Sequence, residues 1–178
     1  VLQNAPGIEY VGMADHDSER GKRYAEAYNS PYFESYQKLL AQNLDGVIIC
    51  SENNRHRELT VMAAEAGVHV LCEKPVATTL EDGQAMVEAC KKAGVNLMIA
   101  LPMRFSASAA QVKAALERGD MGAIHCANTT NQGENPDYHR AWFSDATLAG
   151  GGAVMDHTVH VIDLLRWYTG AEPVEVYA

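Results

Sequence analysis

Asp156 and His160 stand four residues apart in a stretch of helical period that follows Gly150-Gly151-Gly152. On an α-helix this spacing sets both side chains on one face. Imidazole is the side chain suited to taking a proton from an alcohol near neutral pH, and a carboxylate one turn away can orient it and support the charge it acquires. Asp163 continues the same face by another turn. His157 follows Asp156 directly and, on an α-helix, points about 100° away from it. With His139 from the polar segment upstream, Asp156, His157 and His160 form a rival set of metal ligands. The divergent direction of His157 disfavours that set, and no metal is expected. A capping aspartate beside a hydrogen-bonded histidine would occupy these positions equally well without chemistry.

A second group of polar residues sits where short apolar runs end. Glu73-Lys74-Pro75 follows the run Val68 to Cys72. It puts a cation and an anion at one strand end, with Pro75 restricting the backbone of Lys74 toward an extended form. Lys74 there could orient a hydroxyl or polarise the carbonyl formed on its oxidation; it could also be a surface lysine paired with Glu73. Ser51, Asn53 and His56 follow the run ending at Cys50, at the edge where doubly wound sheets bind ligands. A polar loop capping the next helix would use Ser51 and Asn53 as well. Asp15 closes the first strand-like run. In a dinucleotide fold an acidic residue at that place accepts from the adenosine ribose and repels a 2'-phosphate, which favours NAD; Asp is also a routine residue after a strand.

The elements that must position these groups alternate in kind. Strands are expected at Glu9 to Ala14, Val47 to Cys50, Val68 to Cys72 and Asn96 to Ala100, with a marginal one near Tyr32 and Phe33. Helices are expected near Glu19 to Tyr28, Tyr36 to Ala41, His56 to Ala66 and Leu80 to Ala93. This is the pattern of βα units feeding a parallel sheet. Gly67 and Gly94 end two of the helices, and Thr79 caps the one that begins at Leu80, which has an acidic first turn. After Pro102 the rhythm changes. A helix near Ser108 to Arg118, a strand from Ala123 to Thr129, a polar stretch from Asn131 to Asp145, a helix from Val154 to Tyr168 and a strand starting at Val174 are expected. The aperiodic segment with His139, Arg140 and Trp142 is the default place for a substrate loop, with Trp142 as its apolar anchor.

Composition narrows the classes. Fourteen Lys and Arg against twenty-three Asp and Glu leave a net charge of -9 over 178 residues. With no basic cluster, nucleic acid is an unsuitable partner. No apolar run is long enough to cross a bilayer. Cys50, Cys72, Cys90 and Cys126 are scattered without a C-x-x-C pair, the usage of reduced core thiols in a cytoplasmic protein. The chain starts at Val1, close to its first strand, so it is expected to be an internal piece of a longer protein.

Two separated segments, taken in order, resemble the family of glucose-fructose oxidoreductase, myo-inositol dehydrogenase and their relatives. Ala66 to Pro75 is similar to that family's strand and Glu-Lys-Pro signature, and Gly150 to Asp163 resembles its glycines and Asp-x-x-x-His. The likeness covers nearly the whole chain. It implies a Rossmann-type α/β dinucleotide-binding domain over 1–103, with the first βα unit and its G-x-G-x-x-G loop upstream of Val1. The start of an α+β substrate-binding and oligomerisation domain, with an open and mainly antiparallel sheet, would occupy 104–178. Ser51 to His56 corresponds to a T-P-N-x-x-H motif in which Glu52 replaces the customary Pro. Arg104-Phe105 matches an Arg-Phe pair, with Pro102 in place of a common Asn. The resemblance implies Lys74, Asp156 and His160 as catalytic residues and Asp15, Ser51, Asn53, His56, Glu73, Lys74 and Arg104 as cofactor contacts. The implied activity is hydride transfer between NAD, with NADP tolerated, and the CH-OH group of a sugar, inositol or related polyol in a homodimer or homotetramer. The alternatives are a non-catalytic NAD(P)-binding regulator of the same fold and an NAD-assisted glycoside hydrolase or lyase.

Overall fold

The computed structural model of the chain describes residues 5–131, 133 and 141–177. The elements run β1 (Met13–Ala14), α1 (Ser18–Ala27), β2 (Tyr32–Phe33), α2 (Tyr36–Leu40), β3 (Gly46–Ile49), α3 (His56–Glu65), β4 (His69–Glu73), α4 (Leu80–Ala93) and β5 (Leu97–Ala100), then α5 (Ala107–Glu117), α6 (Ala146–Ala149) and α7 (Val159–Thr169). Every strand pair is parallel, with β1 beside β2 and β3, β4, β5 in that order. The first nine elements are the Rossmann α/β alternation anticipated from the apolar runs, and β1 to β5 and α1 to α4 each fall within a few residues of their expected places.

Local chemistry explains why these helices start where they do. The side chains of Asp17, Ser35, Thr79 and Ser106 accept from amides in the first turns of α1, α2, α4 and α5, satisfying donors that a helix cannot bond internally. Gly94 ends α4 in the left-handed conformation at φ 70°, which a residue with a Cβ adopts at a cost. Between helices α3 and α4 and the central sheet lies the main core. Ile49, Leu59, Ala63, Val68, Val70, Cys72, Ala77 and Met86 fill it. Burial pushes the Cys72 thiol up to about 12, so it is an unreactive core group. Cys90 is buried as well, whereas Cys50 and Cys126 are exposed and do not belong to the core expected for such thiols.

Three strand expectations are corrected. Only Met13–Ala14 of the run from Glu9 pairs, because its neighbour β2 is two residues long and Gly12 turns the backbone at φ 155°. The segment from Ala123 to Thr129 is exposed and forms no strand, and Val174 is exposed with none beginning there. Alternating composition favours a strand only when a second backbone lies alongside to bond it. Among the described residues neither of these is paired with a second strand. The expected antiparallel sheet is accordingly not present among the described residues.

Candidate active site

Lys74 leaves the carboxyl end of β4 through a cis bond to Pro75. Its ammonium donates to the carboxylate of Asp156 and to the Asp156 main-chain carbonyl, the latter at 3.2 Å. Both side chains are mostly shielded, at 18% and 25% exposure. The pair therefore acts through a dielectric lower than that of water, where charge interactions gain strength.

Asp156 belongs to a π-helical turn, Val154–Thr158, which runs directly into α7. The sequence had implied one continuous α-helix. A π turn is wider than an α turn, so Asp156 and His160 are not related by the α-helical register. The Asp156 carboxylate is engaged by Lys74, and its other oxygen lies 3.5 Å from His157 Nε2. His157 is thus a neighbour of Asp156, contrary to the direction expected for an α-helix. His160 is half-buried and its Nδ1 is shielded without a hydrogen-bond partner. Burial first, and the Lys74 ammonium second, hold the His160 pKa below the ordinary imidazole value of 6.5, with Asp156 pulling the other way. An unprotonated imidazole beside a cation can accept a proton while the cation holds the oxygen that loses it.

Arg104 stands in the short helical turn after β5. Its guanidinium grips the Asp163 carboxylate with two hydrogen bonds, one of them at 2.8 Å from Nε, and lies 5.8 Å from the centre of the Trp167 ring. Asp163 is 6% exposed. This fork fixes α7 against the end of the sheet, one turn beyond His160. The guanidinium expected at a cofactor is committed to that task.

Asn53 and His56 are buried, and both spend their side chains on main-chain carbonyls. Asn53 Nδ2 donates to Ala149 at 2.8 Å; His56 Nδ1 lies 2.8 Å from the Pro75 carbonyl and its Nε2 3.3 Å from that of Ser51. They tie the loops after β3 and β4 to each other and to α6. Gly150 ends α6 at φ 79°, and a Cβ on it would overlap Thr78 Cγ2. Here the glycine run permits a close approach of two segments. Ser51 Oγ donates to the Glu52 carbonyl at 3.3 Å, and Glu73 accepts from the Lys74 amide at 3.2 Å.

At the carboxyl end of β1, Asp15 accepts from Nε and Nη2 along one edge of the Arg20 guanidinium, each at 2.7 Å, and from the Asp17 amide at 2.9 Å. Burial pushes its carboxyl upward, but the Arg20 and Asp17 hydrogen bonds outweigh it and the net shift is downward. Glu52, from the loop after β3, reaches the same cluster.

The geometry brings Lys74, Asp156 and His160 together and places Asp15 apart from them. His139 and Arg140 lie outside the described residues. Trp142 is half-buried and lies against Phe143 with ring centres 4.1 Å apart and planes tilted by 36°. Among the described residues no three His, Cys, Asp or Glu side chains converge as metal ligands, and no helix is long and apolar enough to cross a membrane. A cavity of about 280 Å³ opens beside His157, lined also by Thr129, Asn131, Val154, Thr158 and Val161. It is slightly smaller than the usual small-molecule site of about 300–1,000 Å³. The sequence set His157 beside Asp156 only as a rival metal ligand, Asp163 only on the face of Asp156 and His160, and Glu52 only as a replacement for Pro, and it did not mark Arg20 at all. Arg20 was the one within reach of local reasoning, since it lies five residues beyond Asp15, in the first turn of the helix that follows.

Residues 1–101 match the oxidoreductase family with an NAD-binding Rossmann fold, and residues 109–178 match the GFO/IDH/MocA C-terminal domain. The chain is 36% identical over 176 residues to 1,5-anhydro-D-fructose reductase of Ensifer adhaerens, a match covering 98% of this chain and 53% of that protein. It is similar in structure to aldose-aldose oxidoreductase from Caulobacter crescentus complexed with glycerol, with a TM-score of 0.81 and 30% identity over 97% of this chain and 53% of that one. Levoglucosan dehydrogenase, in complex with NADH and levoglucosan, superposes with a TM-score of 0.75 and 28% identity over 88% of this chain and 44% of that one. The chain spans about half the length of the curated relatives it matches.

Proposed function

The chain belongs to the GFO/IDH/MocA family of oxidoreductases with an NAD-binding Rossmann fold, and from that premise we propose that the whole protein transfers a hydride between NAD and a CH-OH carbon of a sugar, inositol or related polyol. The observation that carries the proposal is the meeting of Lys74 with Asp156 beside the half-buried His160. We read 1–103 as the nucleotide-binding part and 104–178 as the beginning of the substrate-binding part. A cytoplasmic homo-oligomer is the setting we infer for it; none of the four cysteines is in a disulfide.

The residues fit a dinucleotide. Asp15, Ser51, Glu73 and Lys74 stand at the carboxyl ends of parallel strands, where such ligands bind. The buried Oε2 of Glu52, which has no partner, adds an acceptor at that edge. When bound, the nicotinamide supplies the acceptor or the donor of the hydride. His160 takes the hydroxyl proton in oxidation and returns it in reduction. Lys74 stabilises negative charge developing on the same oxygen. Asp156 fixes the ammonium of Lys74, while Arg104 and Asp163 hold the helix that carries His160. Asn53 and His56 shape the loops around the cofactor edge. Asp15 favours NAD, with NADP tolerated, because its carboxylate opposes a 2'-phosphate.

Titrating the full-length protein with NADH while following fluorescence, and then assaying a panel of sugars and inositols with NAD, tests the proposal. Saturable binding with NADH formation on at least one polyol is expected. A folded protein without saturable binding would overturn the cofactor assignment. Binding without turnover across the panel would favour a regulator, and a cleaved or dehydrated product without net NADH would favour a hydrolase or lyase.

A further inference from the structure

Glu52 is 8% exposed, yet its carboxylate lacks a proper partner. Oε1 lies 3.8 Å from Arg20 Nη2 and 3.6 Å from His16 Nε2, both too long for hydrogen bonds. Oε2 is buried with no partner at all. Asp15 already takes the Nε–Nη2 edge of the Arg20 guanidinium with two hydrogen bonds at 2.7 Å, and His16 Nδ1 is 3.5 Å from Asp15 as well. A carboxylate withdrawn from water without hydrogen bonds in return is costly to keep. Glu52 thus keeps one oxygen unsatisfied inside the fold, and its position calls for a ligand.

Arg20 is the cation of this cluster, with the His16 ring alongside it, and both lie beside the strand end where the adenosine of a dinucleotide is recognised. Free, they would form a receptor for a 2'-phosphate. Asp15 alone neutralises Arg20. Glu52 adds a second negative charge within 4 Å of the Arg20 guanidinium and of the His16 ring, so the cluster of Asp15, Glu52 and Arg20 carries a net charge of about -1.

We propose that Glu52 is a specificity-determining residue for the adenosine end of the cofactor. It engages Arg20 and His16 electrostatically so that they cannot receive a 2'-phosphate, and it presents Oε2 to a hydroxyl or amino hydrogen of the unphosphorylated adenosine. The inference rests on the dinucleotide function proposed above and adds Glu52 to Asp15 as a residue that selects between the two cofactors.

The test uses the full-length protein and its Glu52→Gln and Glu52→Asp variants. The ratio of kcat/KM for NADP to that for NAD is expected to rise about tenfold or more in Glu52→Gln, which keeps the shape and loses the charge, and to rise less in Glu52→Asp. An NADP-to-NAD ratio unchanged within about threefold in Glu52→Gln, in a wild type that uses NAD, would overturn this inference alone. Should the variants fail to fold, competition against NADH by adenosine 5'-phosphate and by its 2'-phosphorylated form can still overturn the proposal in the wild type. The 2'-phosphorylated form is expected to bind about tenfold more weakly or worse. Equal or tighter binding would overturn the proposal, and a wild type that binds neither NADH nor these nucleotides would overturn the dinucleotide function together with it.

Discussion

The ammonium of Lys74 is bonded to both the carboxylate and the main-chain carbonyl of Asp156, a residue 82 positions further along the chain. This contact joins the loop after β4 to the π turn that leads into α7, and it fixes a positive charge close to His160. A cation so placed is held by the protein before substrate arrives, which is the condition under which charge stabilisation is most effective.

Replacing Lys74 with Met in the full-length protein is expected to lower kcat by about 100-fold or more, the usual cost of losing a donor aimed at a developing oxyanion. The NADH dissociation constant should change by only a few-fold. Steady-state kinetics paired with fluorescence titration separates the two effects, and an unaltered kcat would remove Lys74 from the chemistry.

His160 and His157 are expected to differ. Loss of a general acid or base costs about 10²- to 10⁴-fold, so His160→Ala should reduce kcat by at least about 100-fold. His157 lies 3.5 Å from Asp156 and lines the adjoining cavity, so His157→Ala should cost less than about tenfold, through Asp156 or through substrate fit. The reverse order in a kinetic comparison would transfer the proton-handling role to His157.

The pH dependence follows from the direction of the His160 shift. Burial and then Lys74 depress its pKa below 6.5, so the imidazole remains unprotonated further into acid than a free histidine. The acidic limb of polyol oxidation should therefore fall below pH 6.5. Lys74→Met, which removes one of the depressing charges, should raise the His160 pKa, as ring-proton or ring-nitrogen NMR titration would read directly. For stability the sign is the same: between the folded value and 6.5 the unfolded chain binds more protons. His160 thus contributes stability above pH 6.5 that is lost as pH falls toward the folded value.

The fork between Arg104 and Asp163 should be structural in its first effect. Arg104→Ala leaves a carboxylate that is 6% exposed without its donor, a situation that costs about 1–3 kcal/mol. A lower Tm with unchanged NADH affinity is expected, and Asp163→Asn should recover part of that loss when combined with Arg104→Ala because no unpaired charge remains. Additive effects in this double-mutant comparison would show that the two side chains do not act together.

What the sequence determined by itself is what short stretches of chain decide. The runs ending at Cys50, Cys72 and Ala100 announced three parallel strands, and Thr79 and Gly94 bounded α4 at Leu80–Ala93, the limits the structure shows. Caps and turn glycines are legible because their bonds close within a few residues. Lys74, Asp156 and His160 were legible as residue types suited to one chemistry, supported by the order of two signatures. Tertiary structure decided the partners. The absence of pairing at Ala123 to Thr129, the commitment of Arg104 to Asp163 across 59 residues and the burial of Glu52 beside Arg20 and His16 depend on segments distant in sequence. The π turn that brings Asp156 to His157 as well as to Lys74 also escapes a pattern written in α-helical periods. A side chain's type is carried by one residue, but its charge environment, its hydrogen-bond partner and its exposure to water are properties of whatever the rest of the fold packs against it.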